Sequence, residues 1–237
     1  MLAFIEQPDK ILIFENTTQE IKINSMGFVY HGVPRQLVIN IKKETGYENF
    51  VETGTFKGDT IIWAASIFKN AYTIEINEAM SKQASQRSDA LSNIHFLTGN
   101  SKDVLKQLTT TLTDKTIFWL DGHYSGEGTG GEERECPVME ELDSIKVLQE
   151  SFILIDDARF FLGPPPSVHR SSDWPGIDEI FAKLKTLFPN NYSTLIDDTI
   201  VSCPSKFKYI LDKDWQANFE NRYSLNKPKT LFQKIFG

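Results

Sequence analysis

Val51-Glu52-Thr53-Gly54-Thr55-Phe56-Lys57-Gly58 joins a short apolar run, Phe50-Val51, to residues 58–69, which read as a helix. An apolar strand that stops at an acid, a turn with two glycines and a helix that starts at once form the repeating unit of a parallel α/β sheet. Gly54 permits a tight turn and lets a ligand approach the backbone. Gly58 lets the helix start close to the sheet, and its N-terminus offers free N–H groups to an anion. Upstream, Pro34 stands at a first helical position and Gly46 at a C-terminal cap, bounding a short amphipathic helix with Leu37, Val38 and Ile41. Downstream, apolar strands recur at 71–74 (ending in Glu75), 94–97, 117–120 (ending in Asp121) and 152–155 (ending in Asp156-Asp157). Helical segments over 78–91, 101–109, 137–149 and 176–188 separate or follow them. Such strands predict a mostly parallel sheet covered on both faces.

The last two strands, near 192–197 and 199–203, lie too close for a helical crossover, so they are expected to pair antiparallel. The expected fold is therefore α/β, Rossmann-like and doubly wound, with seven strands, over residues 33–212. Residues 1–32 read as an N-terminal cover. Residues 213–237 read as a polar tail whose Leu231, Phe232, Ile235 and Phe236 pack on the domain or on a neighbour; a homodimer is one way to bury them.

Bulk properties narrow the function classes. At 237 residues, one large α/β domain with decoration is expected. A net charge of −7 argues against non-specific nucleic-acid binding, which needs a basic face. Cys136 and Cys203 form neither a disulfide framework nor a zinc cluster and read as reduced thiols. No apolar run is long enough to span a bilayer, and the N-terminus lacks a basic region followed by a long apolar stretch. A cytoplasmic protein without membrane or nucleic-acid partners is expected.

The glycine turn does not carry the Gly-x-Gly-x-x-Gly spacing that seats a pyrophosphate. It reads Glu-x-Gly-x-x-x-Gly, with Glu75 ending the next strand about twenty residues on and Thr98-Gly99-Asn100-Ser101 following the third. In order and spacing, this set resembles motif I and its partners in class I S-adenosylmethionine-dependent methyltransferases, over about residues 48–160. The resemblance implies S-adenosyl-L-methionine as cofactor. It places Glu52, Thr53, Gly54, Thr55, Gly58, Asp59 and Thr60 around the methionine end. It places Glu75 on the ribose hydroxyls, Asn100 and Ser101 at the adenine, and Asp121 beside the methionine. A carboxylate with two oxygens and no donor suits a pair of hydroxyls, and Asn100, where the family has an Asp, offers donor and acceptor to a base edge.

Asp121, Asp156 and Asp157 end neighbouring strands, which lie about 4.8 Å apart in a sheet. Converging carboxylates repel unless a cation or protons intervene. A hard ion with oxygen ligands such as Mg²⁺ would resolve this, although a strand-end hydrogen bond or a turn cap accounts for the same acids. The pattern Leu120-Asp121-Gly122-His123 with Ile155-Asp156-Asp157 is similar to the macrocin O-methyltransferase-like group of sugar and antibiotic O-methyltransferases. That resemblance implies Mg²⁺ on Asp121, Asp156 and Asp157. It also implies a base at position 123, where this chain has His123 in place of an acid. An imidazole can take a hydroxyl proton at neutral pH.

Two connections are set to choose the substrate. Residues 124–136 are rich in Gly and Glu and read as a lid. Residues 159–175 form a second wall. Tyr124, Arg159, His169 and Arg170 are the expected acceptor contacts, while Phe160, Phe161 and Trp174 are expected to pack on the domain. The acidic lid disfavours a polyanionic acceptor. The leading expectation is O-methylation of a small polar molecule, a sugar or natural product. The alternatives are an NAD-dependent oxidoreductase on the same fold and a non-catalytic binding module.

Overall fold

The structure, a computed structural model, describes residues 32–88, 91–126 and 129–225. The N-terminal cover segment, His31 and the apolar tail positions 231–236 lie outside the described residues. Seven strands form one sheet: β1 (Asn49–Thr53), β2 (Asn70–Glu75), β3 (Ile94–Thr98), β4 (Thr116–Leu120), β5 (Phe152–Ile155), β6 (Asn191–Ile196) and β7 (Thr199–Pro204). Their order is β3-β2-β1-β4-β5-β7-β6. The first five are parallel. β7 runs antiparallel to both β5 and β6, as the short connection between the last two strands requires. This is the expected Rossmann-like, doubly wound sheet.

The central strands β1, β4, β5 and β7 are buried along their whole length. Alternate side chains feed two cores, one on each face. Phe50, Trp119 and Leu154 meet residues of α1 (Arg35–Thr45), α2 (Asp59–Ala65) and α7 (Lys208–Leu225). Val51, Phe118, Leu120 and Ile153 meet residues of α4 (Ser101–Leu108), α5 (Val138–Ile145) and α6 (Ile177–Leu187). Each fully buried Phe, Leu or Ile contributes about 1.5–3 kcal/mol of transfer free energy. α3 (Glu78–Arg87) lies against β2 and β3.

Helix boundaries follow local chemistry. Gly46 ends α1 in the left-handed region, its N–H donating to the Lys42 carbonyl. Asn77 caps α3 and Asn100 caps α4, each side chain accepting from backbone N–H groups of the first turn. Three helices are shorter than their sequence patterns suggest. α2 stops at Ala65 rather than 69, α3 at Arg87 rather than 91, and α5 at Ile145 rather than 149. At the first of these, Ser66 turns its hydroxyl back to the Trp63 carbonyl and closes the helix. The last helix, α7, starts at Lys208 and runs through the stretch read as a polar tail, packing on α1. Among the described residues no helix is long and apolar enough to cross a membrane.

The sheet order reverses between β1 and β4. A crevice outside the carboxyl ends of the strands opens at such a switch point. Register sets its floor: Thr53 pairs with both Ile74 and Leu120, so Gly54, Glu75 and Asp121 emerge at one level.

Candidate active site

A cavity of about 230 Å³ occupies this crevice. Gly54, Phe56, Glu75, Asn100, Asp121 and His123 are among its walls. The closest approach is at Gly54, where φ is +83° and a Cβ would stand 2.2 Å from the Asp121 carbonyl oxygen. Only glycine fits there. At Gly58 (φ +80°), a Cβ would meet Ala84 of α3 at 3.1 Å, so this glycine serves helix–helix packing rather than the predicted approach to the sheet.

Glu75 is buried and oriented by two backbone donors. Phe56 N–H donates to Oε2 at 3.0 Å and Asn77 N–H to Oε1 at 2.9 Å. A carboxylate oxygen carries more than one acceptor site, so both oxygens still have capacity toward the cavity. Asn100 lines the cavity, but its Oδ1 accepts from Lys102 N–H at 3.2 Å as the cap of α4. Its amide NH₂ is the group left for a base edge. Ser101 also lines the cavity.

Other expected cofactor residues stand behind this surface. Glu52 is 1 % exposed and does not line the cavity. Thr73 O–H donates to its Oε1 at 2.6 Å, and Thr55 stands 2.6 Å from Thr73 in the same hydroxyl chain. Burial raises the Glu52 pKa well above the carboxylate range; Thr73 lowers it, and Asp121 and Glu75 raise it further. This buried acid lies behind the cavity wall, and its Oε2 has no hydrogen-bond partner among the described residues. Asp59 points outward to an ion pair with Arg87 at 2.7 Å, and Thr53 and Thr60 do not line the cavity.

The acidic end differs more sharply from expectation. His123 is pinned between carboxylates, with Nε2 2.8 Å from Asp157 Oδ2 and Nδ1 3.5 Å from Asp121 Oδ1. Burial works against its charge, but the Asp157 hydrogen bond and the charges of Asp121, Asp157 and Asp156 outweigh this and raise its pKa. Asp157 sits in the left-handed region at φ +55°, which turns its carboxylate toward the imidazole. Burial raises the Asp157 pKa, yet His123 and Arg159 together bring it below the usual value. Arg159 pairs with Asp157 at 2.7 Å and with Asp198. Asp121 is raised by burial, lowered by His123, and raised again by Asp156 and Asp157.

The predicted Mg²⁺ trio of Asp121, Asp156 and Asp157 is therefore not assembled. The acids that come within 4.8 Å of one another are Asp156, Asp157 and Asp198. The His123 ring and the Arg159 guanidinium already stand against these acids, so as arranged the donor set does not fit a divalent ion.

The expected acceptor residues are engaged by neighbouring side chains. His169 Nδ1, Arg170 N–H and Trp174 Nε1–H all meet Glu135 Oε2, at 3.2, 3.0 and 2.9 Å. Arg170 also reaches Asp173 at 2.8 Å. Tyr124 N–H donates to the Glu135 carbonyl at 2.7 Å, and its ring meets His169 edge-on. Glu135 thus fastens the two substrate loops together. Trp174 packs against Phe160, Phe161 and His123, so the expected aromatic packing is present and backs the imidazole. His95 lies outside the cavity, stacked on Tyr72. The loop after β4 reaches the opposite end of the crevice. Gly130 and Gly131 line the cavity, and a Cβ on Gly130 would meet Ile76 at 2.6 Å.

Sequence reading also passed over Glu141. It is 1 % exposed and on the apolar stripe Val138-Glu141-Leu142-Ile145 of α5, a signal that was available. The Ser101 and Thr53 hydroxyls act to lower its pKa, and its Oε1 has no partner among the described residues. Burial pushes its pKa up to about 7. Cys136 and Cys203 are free and buried, each thiol pushed up to about 12, chiefly by burial.

No family model matches the sequence, and no curated protein matches it. Similar solved structures include a SAM dependent methyltransferase from Aquifex aeolicus, with 16 % identity and a TM-score of 0.43 over 72 % of this chain and 91 % of that one. SAH-bound Podospora anserina methyltransferase PaMTH1 shows 15 % identity and a TM-score of 0.48 over 72 % and 78 %. N-methyltransferase NodS from Bradyrhizobium japonicum WM9, in complex with SAH, shows 14 % and 0.46 over 71 % and 82 %. Likenesses this remote carry no weight for the site, whose reading rests on the geometry above.

Proposed function

We propose that the chain is an S-adenosylmethionine-dependent methyltransferase acting on a hydroxyl of a small polar acceptor, a sugar or natural product. The observation that carries this is the alignment of Gly54, Glu75 and Asp121 at one level of the switch-point crevice, with a cavity between them. When bound, the cofactor supplies an electrophilic methyl group on a sulfonium. Glu75, held by two backbone donors, is set to accept the ribose hydroxyls. The Asn100 amide meets the base. Gly54 gives the backbone approach at the methionine end.

At that end Asp121 and His123 face the cavity as one unit. Both imidazole nitrogens are directed at carboxylates, so the proton acceptor we assign is the Asp121–His123 pair rather than a free imidazole. Positioning the acceptor hydroxyl against this pair and removing its proton is the chain's main task. A dinucleotide reading is disfavoured by position 56. A pyrophosphate needs bare backbone along the turn, and a phenylalanine stands there.

Calorimetry with S-adenosylhomocysteine and with NAD tests the cofactor. Transfer of a radiolabelled methyl group into a small-molecule extract tests the reaction. Binding of NAD and none of S-adenosylhomocysteine would overturn the reading.

A further inference from the structure

Three positions in the glycine turn adopt the left-handed backbone: Gly54 at φ +83°, Phe56 at +47° and Gly58 at +80°. The turn thus has the backbone of a Gly-x-Gly-x-Gly loop, with a phenylalanine at the middle glycine. A bulky residue at positive φ is an outlier, and strain of this kind persists where the surroundings impose it and function uses it. Here the conformation is imposed by the Phe56 N–H, which donates to Glu75, the proposed ribose acceptor.

The Phe56 side chain is half-exposed at 52 %, with the Lys57 ammonium 5.2 Å from its ring centroid. Phe56 lines the cavity beside Gly54, Glu75, Ile76 and Met80. A large apolar side chain held in a strained backbone at the edge of an otherwise polar turn has something apolar to cover.

We infer that Phe56 is a specificity-determining residue of the cofactor site, its ring closing over the sugar of the bound nucleoside. The inference rests on the methyltransferase reading and adds a residue to it. The ring shields the Glu75–ribose hydrogen bonds from water and fills the space through which a diphosphate would contact the turn. The site is thereby restricted to a nucleoside without phosphates.

The test uses the full chain and two readouts, S-adenosylhomocysteine affinity by calorimetry and the melting temperature of the ligand-free protein. Phe56→Ala and Phe56→Gly are both expected to weaken binding about 10-fold, the loss of a partly buried ring. Phe56→Tyr should stay within about threefold, because the ring face is kept. Phe56→Gly should melt about 3 °C above Phe56→Ala, since glycine accepts the left-handed backbone. Unchanged affinity in both small variants, or full affinity in Phe56→Gly alone, would overturn the assignment. Absence of binding by the unsubstituted chain would sink the methyltransferase reading instead, and this inference with it.

Discussion

Glu141→Gln should stabilise the protein, and the gain should depend on pH. Glu141 is buried beneath Gly122, where a Cβ would come 2.9 Å from its Oε1. Its pKa rises from an ordinary 4.5 to about 7, with burial the leading cause and the Ser101 and Thr53 hydroxyls opposing it. The folded chain therefore binds this proton more tightly than the unfolded chain does. Between pH 4.5 and about 7 the folded state carries more protons, so stability falls as pH rises through that window. At about 1.4 kcal/mol per tenfold change in proton affinity, the full penalty above pH 7 is about 3 kcal/mol. A neutral amide of the same shape escapes it, and the Thr53 and Ser101 hydroxyls can reverse to accept from the new NH₂. Urea unfolding at about pH 5 and about pH 8 should show Glu141→Gln close to the parent at the lower pH and more stable by about 2–3 kcal/mol at the higher. The corresponding rise in melting temperature is about 4–12 °C. Glu52 and Asp121, also raised, titrate in both proteins and cancel in the difference. An equal stability difference at both pH values would refute the reasoning, because it would mean that Glu141 is not ionising inside the fold.

Other substitutions probe the crevice. Gly54→Ala drives a Cβ into the Asp121 carbonyl at 2.2 Å and should abolish S-adenosylhomocysteine binding while lowering stability by about 3 kcal/mol, read by calorimetry and thermal melting. His123→Ala and Asp121→Asn should each reduce methyl transfer about 100-fold or more, with the acid–base contribution gone. Cofactor affinity in His123→Ala should hold within about threefold, because the cofactor half of the crevice is untouched. Arg159→Ala leaves Asp157 and Asp198 without their shared counter-ion and should cost about 2 kcal/mol. Millimolar Mg²⁺ should leave the melting temperature of the parent unchanged and raise that of Arg159→Ala; a rise in the parent would show that the acids accept a metal with Arg159 in place.

The glycine-turn half of the crevice was legible in position because its demands are local. Strand ends, a left-handed glycine and a helix cap each leave a mark within a few residues. Parallel register then brings Gly54, Glu75 and Asp121 to one level without further information. Legibility failed where side-chain direction mattered more than position. Glu52 and Asp59 sit in the right turn, yet Glu52 points beneath the floor and Asp59 out to Arg87. Phe56 gave no hint of a left-handed backbone, since nothing in a phenylalanine favours one. The acceptor half depends on pairs distant in sequence. Arg159 meets Asp198 from 39 positions away, and Glu135 meets His169 and Trp174 from 34 and 39. Such pairings leave no periodic or local trace, so acids were legible as a cluster and their counter-ions were not.

Those counter-ions bear on how the crevice handles charge. Asp121, Asp156, Asp157 and Asp198 gather at the ends of β4 and β5 and at the β6–β7 turn, with His123 and Arg159 threaded between them. His123 and Arg159 together hold the Asp157 pKa below its usual value, while burial raises Asp121 and Asp156. The cluster thus contains a fixed anion and acids that can gain a proton. Methylation of a hydroxyl removes a positive charge from the methyl donor and releases a proton. In the proposed O-methylation, taking that proton onto the Asp121–His123 pair would return a positive charge to the crevice beside the place where one was lost. A divalent ion would add charge to this balance and displace His123 or Arg159 to do so.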